Sequence, residues 1–416
     1  MANANNLEYQ LAHVDAALKK RYSTKKLSNL NFTTNRLLGW VPKTTGITGK
    51  SYEVPVGLAN IAGGSASFSD AVTSRKSSQY ERWSMTRVKA YQTATIDGET
   101  MRAMKDDPGA FIRSVTSETD SAVRAHASDT NWAMYRDGSG VRGTVATGGV
   151  STDTLTLGAG EARAFELGMR CRIYDSTDAT LAGTPNVTNT RVTAVNRAAN
   201  TVTFAVDLTV VAGDVAVAVA AGDFVVREGD QNAKIQGFGA WFPATVTATL
   251  FNAVNRTVYP ERLAGLQYTP GAAENYDVSL RSAAASAIEN EASPDAIFMH
   301  PNAISQLDID LDGDREFDKV RSQDGHIGYD VIKVHCGGLI LPIVQDAWCP
   351  ETKAYLLESQ SLELFSIDPF GYVSQDAGIL HRLEGEDAVE FRMGFYGNFS
   401  AARAPGHNVV VNLNHP

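Results

Sequence analysis

The chain has 416 residues, 43% of them hydrophobic, and 47 acidic residues against 37 basic ones give a net charge of −10. This is an ordinary globular composition with room for two or three domains, and it excludes a protein that grips nucleic acid through its overall field. No run of about 18 apolar residues occurs, which excludes a membrane-spanning helix.

Three cysteines, Cys171, Cys336 and Cys349, are too few and too far apart for a disulfide framework or a metal cluster. They read as reduced, buried thiols. The start, Met1-Ala-Asn-Ala-Asn-Asn, has neither a basic n-region nor an apolar h-region, so no secretory signal is expected.

Residues 7–22 form an amphipathic helix with Leu7, Leu11, Val14 and Leu18 near one face. Residues 23–46 lack periodicity and are expected to form an extended arm that lies on something else. Tyr52-Glu-Val-Pro-Val is a strand, residues 57–78 are rich in Gly, Ala and Ser, and residues 79–96 are one further strand. Two strands joined by so long a connection make a protruding hairpin, because long connections inside compact domains are uncommon. Asp107-Pro108 opens a helix to about Tyr135, with an N-cap residue and a first-turn proline. That helix is polar on most of its circumference, so it bridges more than it fills, and it places His126 on its surface.

Residues 139–230 change character. They are rich in Thr, Val, Ala and Gly, with short strands at 155–157, 170–174, 192–196, 201–206 and 223–227. An all-β barrel or sandwich, inserted into a host domain, is expected. The host resumes with a helix over 274–291, where Leu280, Ala283, Ala284, Ala287 and Ile288 share a face. A buried strand at 295–299 follows, then a helix at 301–309 with His300 capping the junction. An apolar run covers 338–344, and 354–357 pairs with 362–367 as a hairpin. In the last stretch Val389, Phe391, Met393 and Phe395 alternate with more polar residues, the period of a strand with one buried face that closes the sheet.

Two sets of residues are candidate sites. Asp308, Asp310, Asp312 and Asp314, with Gly313, match the start of a calcium loop, in which alternating carboxylates supply oxygen ligands. Lys319 stands where such a loop needs its bidentate Glu. Arg75, Lys76, Arg82, Arg87 and Lys89 cluster on the hairpin, either as a solvated face or to pair with acidic groups of an adjacent subunit. Gly138-Ser-Gly-Val-Arg-Gly143 fits G-x-G-x-x-G, but it follows a helix and precedes a strand, the reverse of the dinucleotide-binding context, so it reads as a linker. No nucleophile elbow, Walker loop or H-E-x-x-H pattern occurs.

The ordered set of an arm, a long hairpin, a polar helix, "DAIFMHP", "GGLILPIVQDAWCP", "AYLLESQSLELFSI" and "VEFRMGFYGNFSAARA" resembles major capsid proteins of tailed double-stranded DNA bacteriophages. The resemblance implies an α+β, HK97-like capsid fold. It would comprise an N-terminal arm (1–46), an E-loop hairpin (47–96), a spine helix of the P-domain (97–138), a β-rich insertion domain (139–230), the P-domain return with the A-domain (231–350) and closing P-domain strands (351–416). It further implies a structural, non-enzymatic subunit without a cofactor, forming pentamers and hexamers of an icosahedral virion capsid assembled in the host cytoplasm. Such a shell encloses double-stranded DNA without sequence-specific binding, works with a scaffolding protein, a portal and in some cases a decoration protein, and has no membrane partner. An encapsulin-type nanocompartment shell shares that fold and is the nearest rival. A secreted β-rich carbohydrate-binding protein or enzyme is the rival from another class, disfavoured by the lack of a catalytic set.

Overall fold

The computed structural model describes residues 35–61, 63–97, 114–178, 181–271, 274–312, 333–336, 338–368, 371–372, 380–383 and 385–413. The expected helix at 7–22 and the helix start at Asp107-Pro108 lie outside them.

In chain order, helix α1 (Arg36–Trp40) and strand β1 (Lys43–Thr44) lead into a hairpin of β2 (Ser51–Ala59) and β3 (Gln79–Thr86), with a short helix α2 (Phe68–Thr73) between its strands. Strand β4 (Val88–Asp97) and the long helix α3 (Ser114–Met134) follow. Six strands come next: β5 (Val141–Ser151), β6 (Thr154–Leu157), β7 (Arg170–Tyr174), β8 (Val187–Asn196), β9 (Thr201–Phe204) and β10 (Phe224–Arg227). After the short helices α4 (Phe238–Trp241) and α5 (Pro260–Leu263) come β11 (Leu266–Tyr268), α6 (Tyr276–Glu289), β12 (Ala296–Met299) and α7 (Pro301–Asp312). The chain ends with β13 (Lys333–Cys336), β14 (Leu339–Gln345), β15 (Lys353–Leu357), β16 (Glu363–Ser366), β17 (Gly371–Tyr372), β18 (Leu380–Arg382), β19 (Ala388–Ser400) and β20 (Val409–Asn412).

The chain divides into two compact units. The first takes Met1–Thr33, Tyr91–Ala127 and Phe370–Gly394. In it β17 and β18 pair antiparallel with β19, and Met393 packs against Ala122 of α3 and Ala94 of β4. So α3 covers this part of β19, through a small residue rather than a large one. His126 is buried on α3, not on its surface.

The second unit holds the rest. One hydrophobic core lies between α6, α7 and a sheet in the order β11-β20-β15-β12-β14-β13. On α6 the buried residues Tyr276, Leu280, Ala283, Ala284 and Ala287 recur at helical spacing. Their alanines let the helix lie close on the strands, whereas Ile288 falls off this face and is partly exposed. Strands β15 and β16 do not form the expected hairpin. They belong to different sheets, β15 between β12 and β20, and β16 between β1 and β19. Every residue of β16 and all but the first of β15 are buried, so both are interior strands that need cover on both faces. The turn Ser359–Ser361, held by hydrogen bonds from Ser359 to Asp295, redirects the chain between them. Strand β19 is likewise interior: β16 pairs with Gly397–Ser400, and the strand closes nothing.

Residues 35–46 are not a free arm. Trp40 meets Phe298 edge-on at 5.2 Å, Leu37 and Leu38 are buried, and β1 adds in parallel to β16. The expected single strand over 79–96 is two. β2 begins at Ser51 opposite Thr86, so β3 runs out of partner there, and Asn398 Nδ2 donates to the Thr86 carbonyl at 2.9 Å. β4 then pairs with β19 instead.

The six strands β5 to β10 close into a barrel in the order β10-β5-β6-β9-β8-β7. Closure leaves no free edge. Leu155 and Leu157, Cys171 and Ile173, and Val202 and Phe204 alternate inward, the period of two that a filled barrel requires. Asn200, at φ 52°, turns β8 into β9, with Asn196 Oδ1 accepting from the Ala198 and Ala199 N–H groups.

Candidate functional site

The β2–β3 hairpin has a packed root and an uncovered tip. At the root Trp83 and Met85 are fully buried, and Trp83 meets Trp241 at 5.1 Å and Phe251 at 6.1 Å in edge-to-face contacts. The Ser84 N–H donates to the Asn252 carbonyl. Arg256 completes this floor. Its guanidinium lies 4.2 Å over Phe251 and donates to the carbonyls of Ala240 and Trp241, closing the end of α4, and burial pulls it down to about 10. A substantial aromatic core therefore fixes where the hairpin leaves the unit.

The tip has none of this. Helix α2 buries no residue, Phe68 is 86% exposed, and Ile61 and Tyr80 are each 71% exposed. A six-residue helix is marginal in water by itself. Exposed apolar side chains gathered on one connection make this tip a candidate contact surface.

The five basic residues singled out on the hairpin have different surroundings. Arg82 pairs with Glu53 across the strands at 2.9 Å, with both side chains well exposed. Arg87 donates to the Ile47 carbonyl at 3.2 Å. Lys89 is exposed on β4, and only Arg75 and Lys76 stand together near the tip.

The Asp308–Asp314 stretch differs from a calcium loop at its beginning. Asp308 and Asp310 lie on α7, where successive residues turn by about 100°, so positions two apart face opposite ways. Asp310 is already engaged, accepting from the Tyr276 N–H and from Gln306. Asp312 ends the helix, and Asp314 lies outside the described residues.

A charged neck, not singled out from the sequence, holds the barrel to α3. Asp129 accepts from Arg142, from Arg227 at 3.3 Å and from Lys234 at 2.5 Å. Asp230 pairs with Arg142 at 3.2 Å, Arg227 at 2.7 Å and Lys234 at 3.2 Å. Burial pushes the Asp129 carboxyl up, but the guanidinium of Arg142, then Arg227 and Lys234, hold it well below the usual carboxylate range. Gly140, at φ 85°, lets the two chain crossings touch, since a Cβ there would lie 2.3 Å from the Asp230 carbonyl. The signal was present in sequence: the two ends of any inserted module must meet, and charged residues at 142, 227, 230 and 234 flank that junction.

The barrel has a second attachment. Arg163 donates to the Ala347 carbonyl at 2.9 Å and lies 5.6 Å over Trp348. Beside it His300 caps α7, its Nδ1 accepting from the Asn302 N–H at 3.1 Å, with Nε2 3.7 Å from Glu351. Because Nδ1 accepts, the proton of the neutral ring sits on Nε2. Burial pushes this imidazole down; Glu351 opposes the shift, Arg163 adds to it, and Asp346 opposes it. A third junction is the buried Asp346, which accepts from the Leu37 N–H, from Asn131 Nδ2 and from the Trp348 N–H, tying α1 to α3 and to the end of β14.

Buried Cys171 and Cys349 are inert: burial pushes the first thiol up to about 12 and the second well above its ordinary value. Among the described residues no group of three or more His, Cys, Asp or Glu is placed to hold a metal ion, and no helix is long and apolar enough to cross a membrane.

No protein-family model and no curated protein sequence matches the chain. Solved structures do. A capsid protein of cyanophage A-1(L) is similar with a TM-score of 0.56 at 11% identity, over 95% of this chain and 97% of that one. The capsid protein of a native GTA particle gives 0.51 at 9%, over 97% and 99%. An encapsulin of Synechococcus elongatus gives a looser 0.46 at 8%, over 96% and 95%. The chain has the fold of a viral capsid protein over nearly its whole length.

Proposed function

We propose that this chain is the repeating structural subunit of a phage-type icosahedral shell, built on the HK97-like plan and assembled as pentamers and hexamers around double-stranded DNA. The observation that carries the proposal is the hairpin: an aromatic root that fixes its direction, and a tip whose Ile61, Phe68 and Tyr80 no other described residue covers. The fold shared with capsid proteins supports it.

In this reading residues 1–46 are the arm, the hairpin is the E-loop and α3 the spine helix. Helices α6 and α7 belong to the A-domain, the strands from residue 351 onward to the P-domain, and the barrel within 139–230 is an inserted domain. The role is mechanical, with no catalytic step. A net charge of −10 suits a wall that encloses DNA without gripping it. Assembly in the host cytoplasm, with a scaffolding protein, a portal and a decoration protein as partners, belongs to the same proposal.

Sedimentation of the purified chain tests it. The wild type should assemble into large particles, and Phe68→Asp should remain as small oligomers or monomers with an unchanged melting temperature. Assembly of Phe68→Asp as complete as that of the wild type would remove the hairpin tip from the interface.

A further inference from the structure

One end of the barrel differs from the rest of its surface. Residues 175–178 and 181–186 are joined there to loop 205–222. The Ala216 and Val217 N–H groups both donate to the Asn186 carbonyl, at 2.8 and 3.2 Å, and the Thr188 N–H donates to the Asp214 carbonyl at 2.9 Å. Asp223 holds the two loops from beneath. It is buried, and its carboxylate accepts from the Ser176 N–H at 3.1 Å, Asn186 Nδ2 at 3.1 Å and the Ala220 N–H at 3.0 Å.

Three valines stand outward on this ordered frame: Val210, Val211 and Val217 are each more than half exposed. Asp175, Asp178, Asp207 and Asp214 lie on the same two loops, which contain no Lys or Arg. The result is an apolar knob with an acidic rim.

The hairpin tip has the complementary character. Ile61, Phe68 and Val72 are exposed apolar groups, with Arg75 and Lys76 exposed beside them. Asp70 is the one carboxylate on that connection.

We infer that the acidic, valine-bearing end of the barrel receives the hairpin tip of a second copy of this chain. The inference rests on the shell reading above and adds to it which two surfaces meet. Exposed apolar groups on both sides supply the attraction, and opposite charges beside them fix register. Two barrel ends facing each other would instead oppose carboxylates to carboxylates. A contact between two different patches of one chain repeats from copy to copy, as rings and shells require.

The test is a charge exchange in the full chain, read by the assembled fraction in sedimentation. Asp207→Lys with Asp214→Lys should lose assembly, as should Arg75→Glu with Lys76→Glu, and the fourfold variant should regain it. Asp207 also caps a local turn, accepting from the Thr209 N–H at 2.9 Å. A second measurement therefore avoids the rims: Phe68→Cys with Val211→Cys, oxidised in assembled particles, should link chains into ladders that neither single variant gives. Shells that form equally from all three charge variants, or particles of the cysteine pair without ladders, overturn this contact and leave the shell reading standing. Absence of particles from every chain, the wild type included, overturns the shell reading and this contact with it.

Discussion

Asp129, its side chain 12% exposed, sits among the largely buried Arg142, Arg227 and Lys234, which Asp230 also touches. Removing one partner from a buried ion network leaves charge uncompensated, at a cost of about 3–5 kcal/mol. Asp129→Ala should lose that much in denaturant unfolding, whereas the exposed Arg82–Glu53 pair should contribute less than about 1 kcal/mol when cut. The Asp129 carboxyl is held below its unfolded value, so its contribution is present above about pH 4 and is lost as pH falls through the folded value. His300 acts at higher pH. Its folded value is also depressed, so the unfolded chain takes up the proton first and stability falls as pH drops below about 6.5. Protonation would cost the Nδ1 acceptor that caps α7 and would set a cation beside Arg163, with Glu351 as the opposing partner. Melting temperatures measured between pH 8 and pH 5 should fall less in His300→Asn, which can still cap the helix.

At the scale of elements, the two ends of the β2–β3 hairpin should respond oppositely to substitution. Trp83→Ala empties the space between Trp241 and Phe251 and should cost about 3–5 kcal/mol of folding stability. Changes at the tip should leave stability within about 0.5 kcal/mol of wild type, because nothing among the described residues covers those side chains. Much of this level was legible in sequence. The alanine face of α6 and the short strands within 139–230 follow from spacing alone. The failures share a cause: pairing partners are not written in a strand. The alternation over 79–96 is continuous, yet β2 runs out at Thr86 and the strand changes sheet. Leu362–Ile367 reads like the second half of a hairpin with 354–357, yet both strands are interior and go to separate sheets. The Asp308 repeat suggested a loop, and helix α7 continues through it to Asp312.

For the whole molecule, each candidate interface is an incomplete surface: an uncovered hairpin tip, and an acidic, valine-bearing barrel end. The charged neck and the Arg163–His300 attachment hold the barrel at two points, so it is fixed to the body rather than tethered. The residues with roles here were legible in part. Exposed Phe68 lies in a stretch whose composition already marked it as a protruding connection. The neck was legible only as charges flanking the two ends of the insertion; that Arg227 and Lys234 converge on Asp129, about a hundred positions away, is the work of the fold. Electron microscopy of the purified full chain, alone and with the scaffolding protein proposed for it, tests the central claim most directly. Closed icosahedral particles with every hairpin tip covered by a neighbouring copy are the predicted result. Monomers under every condition of salt, concentration and scaffold, with Ile61 and Phe68 still open to solvent, would contradict it.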